Sequence, residues 1–157
     1  MKGNPKVVAL LNKTLADELT AINQYIVHSE MCNNWGYARL HEKIEKRAIQ
    51  EMKHAEKTIA RILFLGGKPT VTKLNEINIG EDVKRQIAND LSAELQAQRD
   101  YNRAVKECLD LGDNVTRELI ESFLKDEEEH IDWLEAQQDQ IAQMGIENYL
   151  ANQASEK

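Results

Sequence analysis

The sequence predicts an all-α protein, a four-helix bundle with one long crossover and a short fifth helix at the C-terminal end. Three observations lead to this prediction. Aromatic residues make up only 5% of the 157 residues and proline occurs twice, a composition that favours helices over strands. Four long segments carry apolar residues at helical spacing. The connection between the second and third segments is much longer than the others, so it can travel the length of a bundle.

Turn residues set the expected limits of the helices. Asn4 followed by Pro5 is an N-cap with proline at the first helical position. Short turns at Gly36 and Gly112 make two antiparallel hairpins, and the long crossover then makes helices two and three parallel. We expect one domain over residues 1–157. Its helices are expected at about 5–33, 37–65, 81–111, 115–144 and 146–153.

Charge and hydropathy narrow the possible partners. The net charge is −7 and no block of Lys and Arg stands out, which argues against a nucleic-acid-binding surface. No apolar run approaches the ~20 residues of a membrane span, and the run from Val7 to Leu11 is too short for a secretory signal. Cys32 and Cys108 do not suggest a disulfide framework and are interpreted as small packing residues. We expect a cytoplasmic protein without a membrane partner.

The chain repeats itself with a shift of 76 residues. Any two amphipathic hairpins match at some shift, which explains the paired leucines but explains the paired glutamates and histidines poorly. We therefore interpret each hairpin as one copy of a unit, with the two copies facing each other across a pseudo-two-fold axis. The aligned pairs are Leu15 and Leu91, Glu18 and Glu94, Tyr25 and Tyr101, Cys32 and Cys108, Gly36 and Gly112, Ile44 and Ile120, Glu51 and Glu127, and His54 and His130.

Glutamates interrupt helix stripes that should be apolar. Helices one and three each carry a glutamate on the inward seam. Helices two and four each carry Glu-x-x-His, whose two side chains share a face, 33 residues after the seam glutamate. This is the ligand template of bundles that hold two iron or manganese ions. The six residues are Glu18, Glu51, His54, Glu94, Glu127 and His130.

The chemistry of this set points to a pair of metal ions. Four buried carboxylates would repel one another, and two divalent cations would balance their charge. Carboxylate with imidazole suits Fe, Mn or Zn, and the absence of thiolate argues against an iron–sulfur cluster or a structural zinc site. We expect two Fe(II) ions that reduce dioxygen or peroxide by two electrons. The alternative is exposed glutamates on solvated faces beside incidental histidines.

Three other side chains are candidates for smaller roles. Tyr25 lies two turns from Glu18 on the same helix face. It could hydrogen-bond a ligand, supply an electron or pack in the core. His28 and His41 lack a glutamate three residues earlier and are interpreted as surface or packing residues.

These motifs resemble the bacterioferritins over nearly the whole chain. The resemblance implies a ferritin-like bundle that assembles as a homo-oligomer, a hollow cage of twenty-four subunits. It further implies that the cage oxidises Fe(II) and stores the ferric mineral, and that the short fifth helix lines a symmetry axis. The matching stretches are ELTAINQY at 18–25, EMKHA at 51–55, RILFL at 61–65, IGED at 79–82 and DEEEHIDWL at 126–134.

The resemblance also implies roles for individual residues. Glu51 and Glu127 would bridge the two irons, with Glu18 and Glu94 as terminal ligands. Met52 follows Glu51, and one residue turns a helix by about 100°, so Met52 would face a neighbouring subunit. Two such methionines, one from each subunit of a two-fold dimer, would ligate one b-type haem. A ferredoxin is the candidate electron donor.

One departure from the family pattern is visible. Some members carry His and Asp at the positions of Lys46 and Gln50, where they form an extra iron site on the inner surface. An ammonium group repels a cation and an amide is a weak ligand, so we expect no iron site there.

Two other function classes remain open at this point. One is a soluble di-iron oxidoreductase, either a peroxidase or an oxygenase, and an oxygenase would need a substrate pocket. Proteins of this class that resemble rubrerythrins add a rubredoxin-like domain with paired cysteines, which this sequence lacks. The other is a small DNA-protecting cage, which places iron between subunits and needs no glutamate set within one chain.

Overall fold

The structure is a computed structural model that describes residues 1–154. It confirms the predicted all-α bundle with one long crossover and a short fifth helix. None of the helices in this range is long and apolar enough to cross a membrane. The predicted domain ends at residue 157, and residues 155–157 lie outside the described part. The helices are α1 (Pro5–Asn34), α2 (Ala38–Phe64), α3 (Val83–Asp110), α4 (Asn114–Met144) and α5 (Ile146–Gln153).

Polar caps determine where three of the helices begin. The side chains of Asn4, Asp82 and Asp113 accept backbone N–H groups of the first helical turn at 2.9, 2.8 and 3.0 Å. Because Asp82 caps α3 from an extended backbone, that helix begins at Val83 rather than at the predicted residue 81. The Asp113 cap likewise starts α4 at residue 114, just before the predicted 115.

The helices pack as two antiparallel hairpins, α1 with α2 and α3 with α4. Gly36 and Gly112 turn these hairpins with φ of 86° and 75°, a conformation that glycine adopts without strain. The buried apolar residues form two clusters at opposite ends of the bundle, which leaves a polar zone between them. One cluster contains Val7, Leu10, Leu11, Leu15, Ala55, Ile62, Leu65, Tyr101, Ala104, Cys108, Ile120 and Phe123. The other contains Tyr25, Cys32, Leu40, Ile44, Ala48, Val83, Ile87, Leu134, Ile141 and Tyr149.

The crossover, residues 65–82, is held against α1 through its own backbone. Four of its N–H groups donate to α1 side chains at 2.8–3.1 Å, which satisfies main-chain donors that form no helix or sheet bond. These bonds run from Thr70 to Asn12, from Asn75 to Thr20, from Asn78 to Gln24 and from Gly80 to His28.

His28 also ties the end of the crossover to α3. Its Nε2 accepts from Gly80, so its Nδ1 carries the proton and donates to Asp90 Oδ1 at 2.9 Å. His28 is fully buried and therefore a packing residue, one of the two interpretations made from the sequence. His41 is partly buried and contacts Ser29.

Two smaller features complete the bundle. Cys32 and Cys108 are buried free thiols, as expected for packing residues. In α5, the buried Tyr149 hydroxyl donates to Gln137 Oε1 of α4 at 2.6 Å, which seats the short helix on the bundle.

Candidate metal centre

All six residues of the predicted ligand set are buried in the polar zone between the two apolar clusters. Helices α1 and α3 contribute one residue each, and α2 and α4 contribute two each. They are Glu18, Glu51, His54, Glu94, Glu127 and His130.

Three of the six come closest together. An oxygen of Glu51, an oxygen of Glu127 and a ring nitrogen of His54 all lie within 4.8 Å of one another. Ligand atoms about 2.0–2.2 Å from one metal ion are at most roughly 4.4 Å apart. These three side chains therefore need little movement to share an ion.

Asp126 holds His54 in the tautomer that a metal site needs. His54 Nε2 lies 2.7 Å from Asp126 Oδ2, and the hydrogen-bond network assigns the proton to that nitrogen. His54 Nδ1 has no hydrogen bond and lies 3.9 Å from Glu51 Oε1, so its lone pair faces the carboxylates. Phe123 stacks on the His54 ring at 4.4 Å between centroids. A carboxylate behind the ring is typical of metal-binding histidines, although sequence analysis did not single out Asp126.

Hydroxyl groups orient the two seam glutamates. Thr58 Oγ1 donates to Glu18 Oε1 at 2.9 Å, and the Tyr25 phenol donates to Glu94 Oε1. Tyr25 belongs to α1 and Glu94 to α3, so the second bond joins the two hairpins. Of the roles considered for Tyr25, the structure shows two, a hydrogen bond to the predicted ligand Glu94 and packing in an apolar core cluster.

His130 reaches the centre beside Tyr25. Its ring meets that of Tyr25 edge-on at 5.7 Å and stacks on Trp133 at 5.6 Å between centroids. Burial, together with the positive charges of Arg47 and Lys43, lowers the pKa of His130 well below its ordinary value. The imidazole is therefore neutral at pH 7, the form that binds metal ions.

Burial is the main reason that the pKa values of the four carboxyl groups are raised. It raises the pKa of Glu51 to about 8 and that of Glu94 to about 7. Burial, followed by the charge of a neighbouring glutamate, also raises the pKa values of Glu18 and Glu127 well above the ordinary range. A bound cation would displace the protons of these groups.

Three ligand atoms of the cluster have no partner, namely Glu18 Oε2, Glu127 Oε2 and His54 Nδ1, and a fourth, Glu51 Oε1, is held only by its ion pair with Arg47. Buried polar atoms in proteins almost always have a partner. Three carboxylate oxygens and an imidazole nitrogen are ligands that iron, manganese and zinc accept. The residues present therefore fit a metal centre.

Sequence analysis missed Arg47, a buried cation inside this centre. Its Nη2 lies 2.5 Å from Glu51 Oε1, 2.8 Å from Glu94 Oε2 and 2.8 Å from Glu127 Oε1. A signal was available in the sequence, because Arg47 precedes Glu51 by four residues and so shares its helix face. If Glu51 enters the bundle, Arg47 enters it too.

Two cavities reach the cluster from different faces of the bundle. The acidic cavity, of about 310 Å³, is lined by Glu51, Glu94 and Glu127, with Asp17 and Asp100 nearer its surface. The basic cavity, of about 610 Å³, lies against α2 and α4. Its lining includes Lys43, Lys46, Arg47, Lys53, His54, Lys57 and His130.

Met52 lies on the outer face of α2, away from the cluster. Its side chain is 46% exposed, and Ile49, which shares that face, is 43% exposed. An accessible thioether beside an apolar side chain fits an axial ligand of haem iron.

Comparisons with known proteins agree with this arrangement. Residues 8–144 match the family model of the ferritin-like domain. The chain is 44% identical to a bacterioferritin of Brucella melitensis over 149 residues, which cover 95% of this chain and 92% of the relative. It is 44% identical to a bacterioferritin of Rhodobacter capsulatus, covering 87% and 85% of the two chains. Identity to a bacterioferritin of Mycolicibacterium paratuberculosis is 40%, covering 96% and 95%.

The raised pKa of Glu51 predicts how the stability of the metal-free protein depends on pH. Between about pH 4.5 and 8 the folded protein keeps a proton on Glu51 that the unfolded chain has lost. Because the folded state binds more protons, the free energy of unfolding falls as pH rises through this window. Glu51→Gln removes this contribution. The unfolding free energy of the variant minus that of the parent should therefore increase as pH rises, which urea titrations at several pH values would measure. The control is Glu56→Gln at an exposed position, whose unfolding free energy should depend on pH as that of the parent does. The same pH dependence in Glu51→Gln would contradict the raised pKa of Glu51.

Proposed function

The chain belongs to the bacterioferritin family, within the ferritin-like proteins, and from this premise we propose that it detoxifies and stores iron. It oxidises Fe(II) to Fe(III) at the buried six-residue cluster and keeps the ferric mineral inside a cage of twenty-four subunits. In enzymatic terms it is a ferroxidase, and Fe(II) is its substrate.

One observation carries this proposal. Each half of the duplicated chain delivers a Glu and a Glu-x-x-His to the same buried zone, where three ligand atoms have neither a hydrogen bond nor an ion pair. Burying such groups costs free energy unless something binds them. Two divalent cations supply a charge equal and opposite to that of the four carboxylates.

The proposed reaction balances with two irons. Each Fe(II) loses one electron, and the pair reduces one dioxygen with two protons to hydrogen peroxide, or one hydrogen peroxide with two protons to two waters. Glu51 and Glu127, which the resemblance to bacterioferritins gives as bridges, each have an oxygen within 4.8 Å of the other and are the proposed bridges. Glu18 and Glu94 are the proposed terminal ligands, each oriented by a hydroxyl donor.

The environment of each ligand determines whether it must lose a proton when iron binds. The carboxyl groups release their protons when iron enters, because the cation replaces the proton as the balancing charge. His54 would bind through Nδ1, since its Nε2 donates to Asp126 and its Nδ1 has no hydrogen bond. The acidic cavity leads to Glu51, Glu94 and Glu127, and its negative charge would attract Fe(II).

A second cofactor is proposed on the outer face of α2. Met52 would ligate a b-type haem at a two-fold interface, opposite the same residue of a second subunit, because an isologous contact repeats each residue. When bound, haem would supply one-electron transfer. The transferred electrons would reduce stored Fe(III) to Fe(II) for release. A ferredoxin is the proposed electron donor, and the cytoplasm is the proposed compartment.

The alternative function is a soluble di-iron oxidoreductase that acts on an organic substrate. It is favoured by the acidic cavity, whose volume of about 310 Å³ is at the lower end of ordinary ligand pockets. The polar and charged lining suits an ion better than an organic molecule.

Assembly separates these two functions. We expect the protein to elute from a sizing column as a particle many times larger than the 18.0 kDa of one chain. Light scattering on the eluted peak checks the mass independently of shape. A monomer or dimer would contradict the storage cage and favour the oxidoreductase.

Removing two ligands tests the centre itself. In the double variant Glu94→Ala, Glu127→Ala, rapid oxidation of Fe(II) at low iron loading should fall at least about tenfold, since two carboxylates of the proposed centre are lost. Stopped-flow absorbance measures the initial rate. Exposed glutamates offer a matched control, Glu56→Ala with Glu121→Ala, which should oxidise iron at the parental rate. Unchanged initial rates in the first variant would overturn the ligand assignment.

Replacing Met52 tests the haem site. Met52→Leu keeps the apolar bulk and removes the sulfur ligand, so the purified variant should lose its haem absorbance and release iron more slowly to an external reductant. Fe(II) oxidation should continue, because Met52 is outside the buried cluster. Ile49→Leu, one turn earlier, is the control for packing at this surface. An unchanged haem spectrum in Met52→Leu would show that another residue binds the haem.

A further inference from the structure

Arg47 places one nitrogen atom where the cluster of carboxylates converges. Its Nη2 contacts oxygens of Glu51 on its own helix, Glu94 on α3 and Glu127 on α4, at 2.5, 2.8 and 2.8 Å. The Arg47 and glutamate side chains are all buried. A single cationic nitrogen therefore holds carboxylates from three helices.

A metal ion and this nitrogen cannot share the position. A metal ion would lie about 2.0–2.2 Å from the same carboxylate oxygens, so its centre would fall almost on Nη2. The charges of the groups also indicate that the metal ions and Arg47 cannot occupy the centre together. Two divalent ions balance the four glutamates, and the arginine would add one positive charge without a partner in a buried site.

The structure leaves space for Arg47 beside the centre. Arg47 lines the basic cavity of about 610 Å³, which holds room for a guanidinium group. Its Nε is buried and has no hydrogen bond, so the guanidinium is incompletely satisfied where it lies. Rotation of the side chain would bring it into the cavity near Asp126 and Glu129, which also line it.

We propose that Arg47 is a built-in, displaceable cation that holds the metal-free centre together and moves into the basic cavity when divalent metal ions bind. This inference rests on the proposed dinuclear centre and adds a residue that is not among its ligands. Arg47 is thus a positioning residue, and it sets the affinity of the centre, because metal binding must first break its buried ion pairs.

The internal repeat shows that this device is present in one half only. The shift of 76 residues pairs Arg47 with Phe123 and Gln50 with Asp126. Phe123 stacks on His54, and Asp126 accepts a hydrogen bond from the Nε2 of His54. In the other half, Gln50 Oε1 accepts from Arg47 Nη1 at 2.6 Å.

Movement of Arg47 would therefore free Gln50. Gln50 and His130 line the same basic cavity, as the pseudo-two-fold relation to Asp126 and His54 requires. Once Arg47 has left, Gln50 Oε1 can accept a hydrogen bond from one ring nitrogen of His130 and so orient the other ring nitrogen to the metal ion. Metal binding at the centre and the orientation of His130 are therefore coupled.

Two crystal structures of the full-length protein test the displacement directly, one metal-free and one soaked with Co(II), which is not oxidised by air in a simple carboxylate site. We expect Arg47 Nη2 among the glutamates without metal, and in the basic cavity with cobalt bound. Arg47 outside the centre in the metal-free crystal, or among the carboxylates with cobalt bound, would overturn the inference alone. Absence of cobalt from the six residues would overturn the dinuclear centre and the inference with it.

Variants test the energetic consequence in solution. Arg47→Gln should bind Co(II) at least about tenfold more tightly than the parent, followed by the visible absorbance of bound cobalt, because no buried ion pair has to be broken. Its metal-free form should unfold at a lower urea concentration. Arg85→Gln, the control, removes an exposed arginine of α3 that lines neither cavity and should leave both properties unchanged. Cobalt affinity of Arg47→Gln equal to or weaker than that of the parent, or an equal gain in Arg85→Gln, would overturn the inference. A variant that folds only with Co(II) would support it, since the metal then supplies the missing charge.

Discussion

The repulsion among four buried carboxyl groups is the constraint on which the rest of this structure depends. Desolvation and mutual charge both favour the protonated form of these groups, and burial indeed raises the pKa of Glu51 to about 8. Other parts of the bundle must therefore offset the free-energy cost of burying these carboxyl groups. Two apolar clusters, one at each end, provide that stability and leave the polar zone between them. Core packing and the proposed metal centre lie at different levels of the same four helices.

A hydrogen-bond or ion-pair donor contacts each of the four carboxylates and offsets part of the repulsion among them. Thr58 serves Glu18, Tyr25 serves Glu94, and Arg47 bridges the remaining pair to Glu94. Each donor comes from a helix other than the one that carries its acceptor, apart from the contact between Arg47 and Glu51. The polar zone thereby connects both hairpins, and loss of one donor would be felt across the bundle.

Helix periodicity and the duplicated Glu-x-x-His allowed the bundle, the crossover and the buried zone to be predicted from the sequence. The position of each helix start was less accurate, since Asp82 could be read either as a helical residue or as a cap, and only its extended backbone decides. Asp126 and Arg47 were missed for a different reason. Both carry charges that are usual on helix surfaces. The contact of the half-buried Asp126 with His54 depends on a neighbouring helix that no local pattern describes, whereas Arg47 could have been found from its spacing to Glu51. The roles of the six ligands and of Met52 remain predictions.

The way the crossover is attached has a consequence for how this chain can change during evolution. Its contacts with α1 use main-chain N–H groups of Thr70, Asn75, Asn78 and Gly80, which every residue except proline possesses. Side chains of the segment that make no other contact are therefore free to vary, unlike Asp82, which caps α3, and Gly80, where a Cβ would clash with the backbone nitrogen of Gln86. The length of the segment is not free to vary, because the acceptors stand at fixed intervals along a rigid helix. An insertion or deletion would put every later amide out of register with its acceptor, so we expect this segment to drift in sequence while its residue count is preserved.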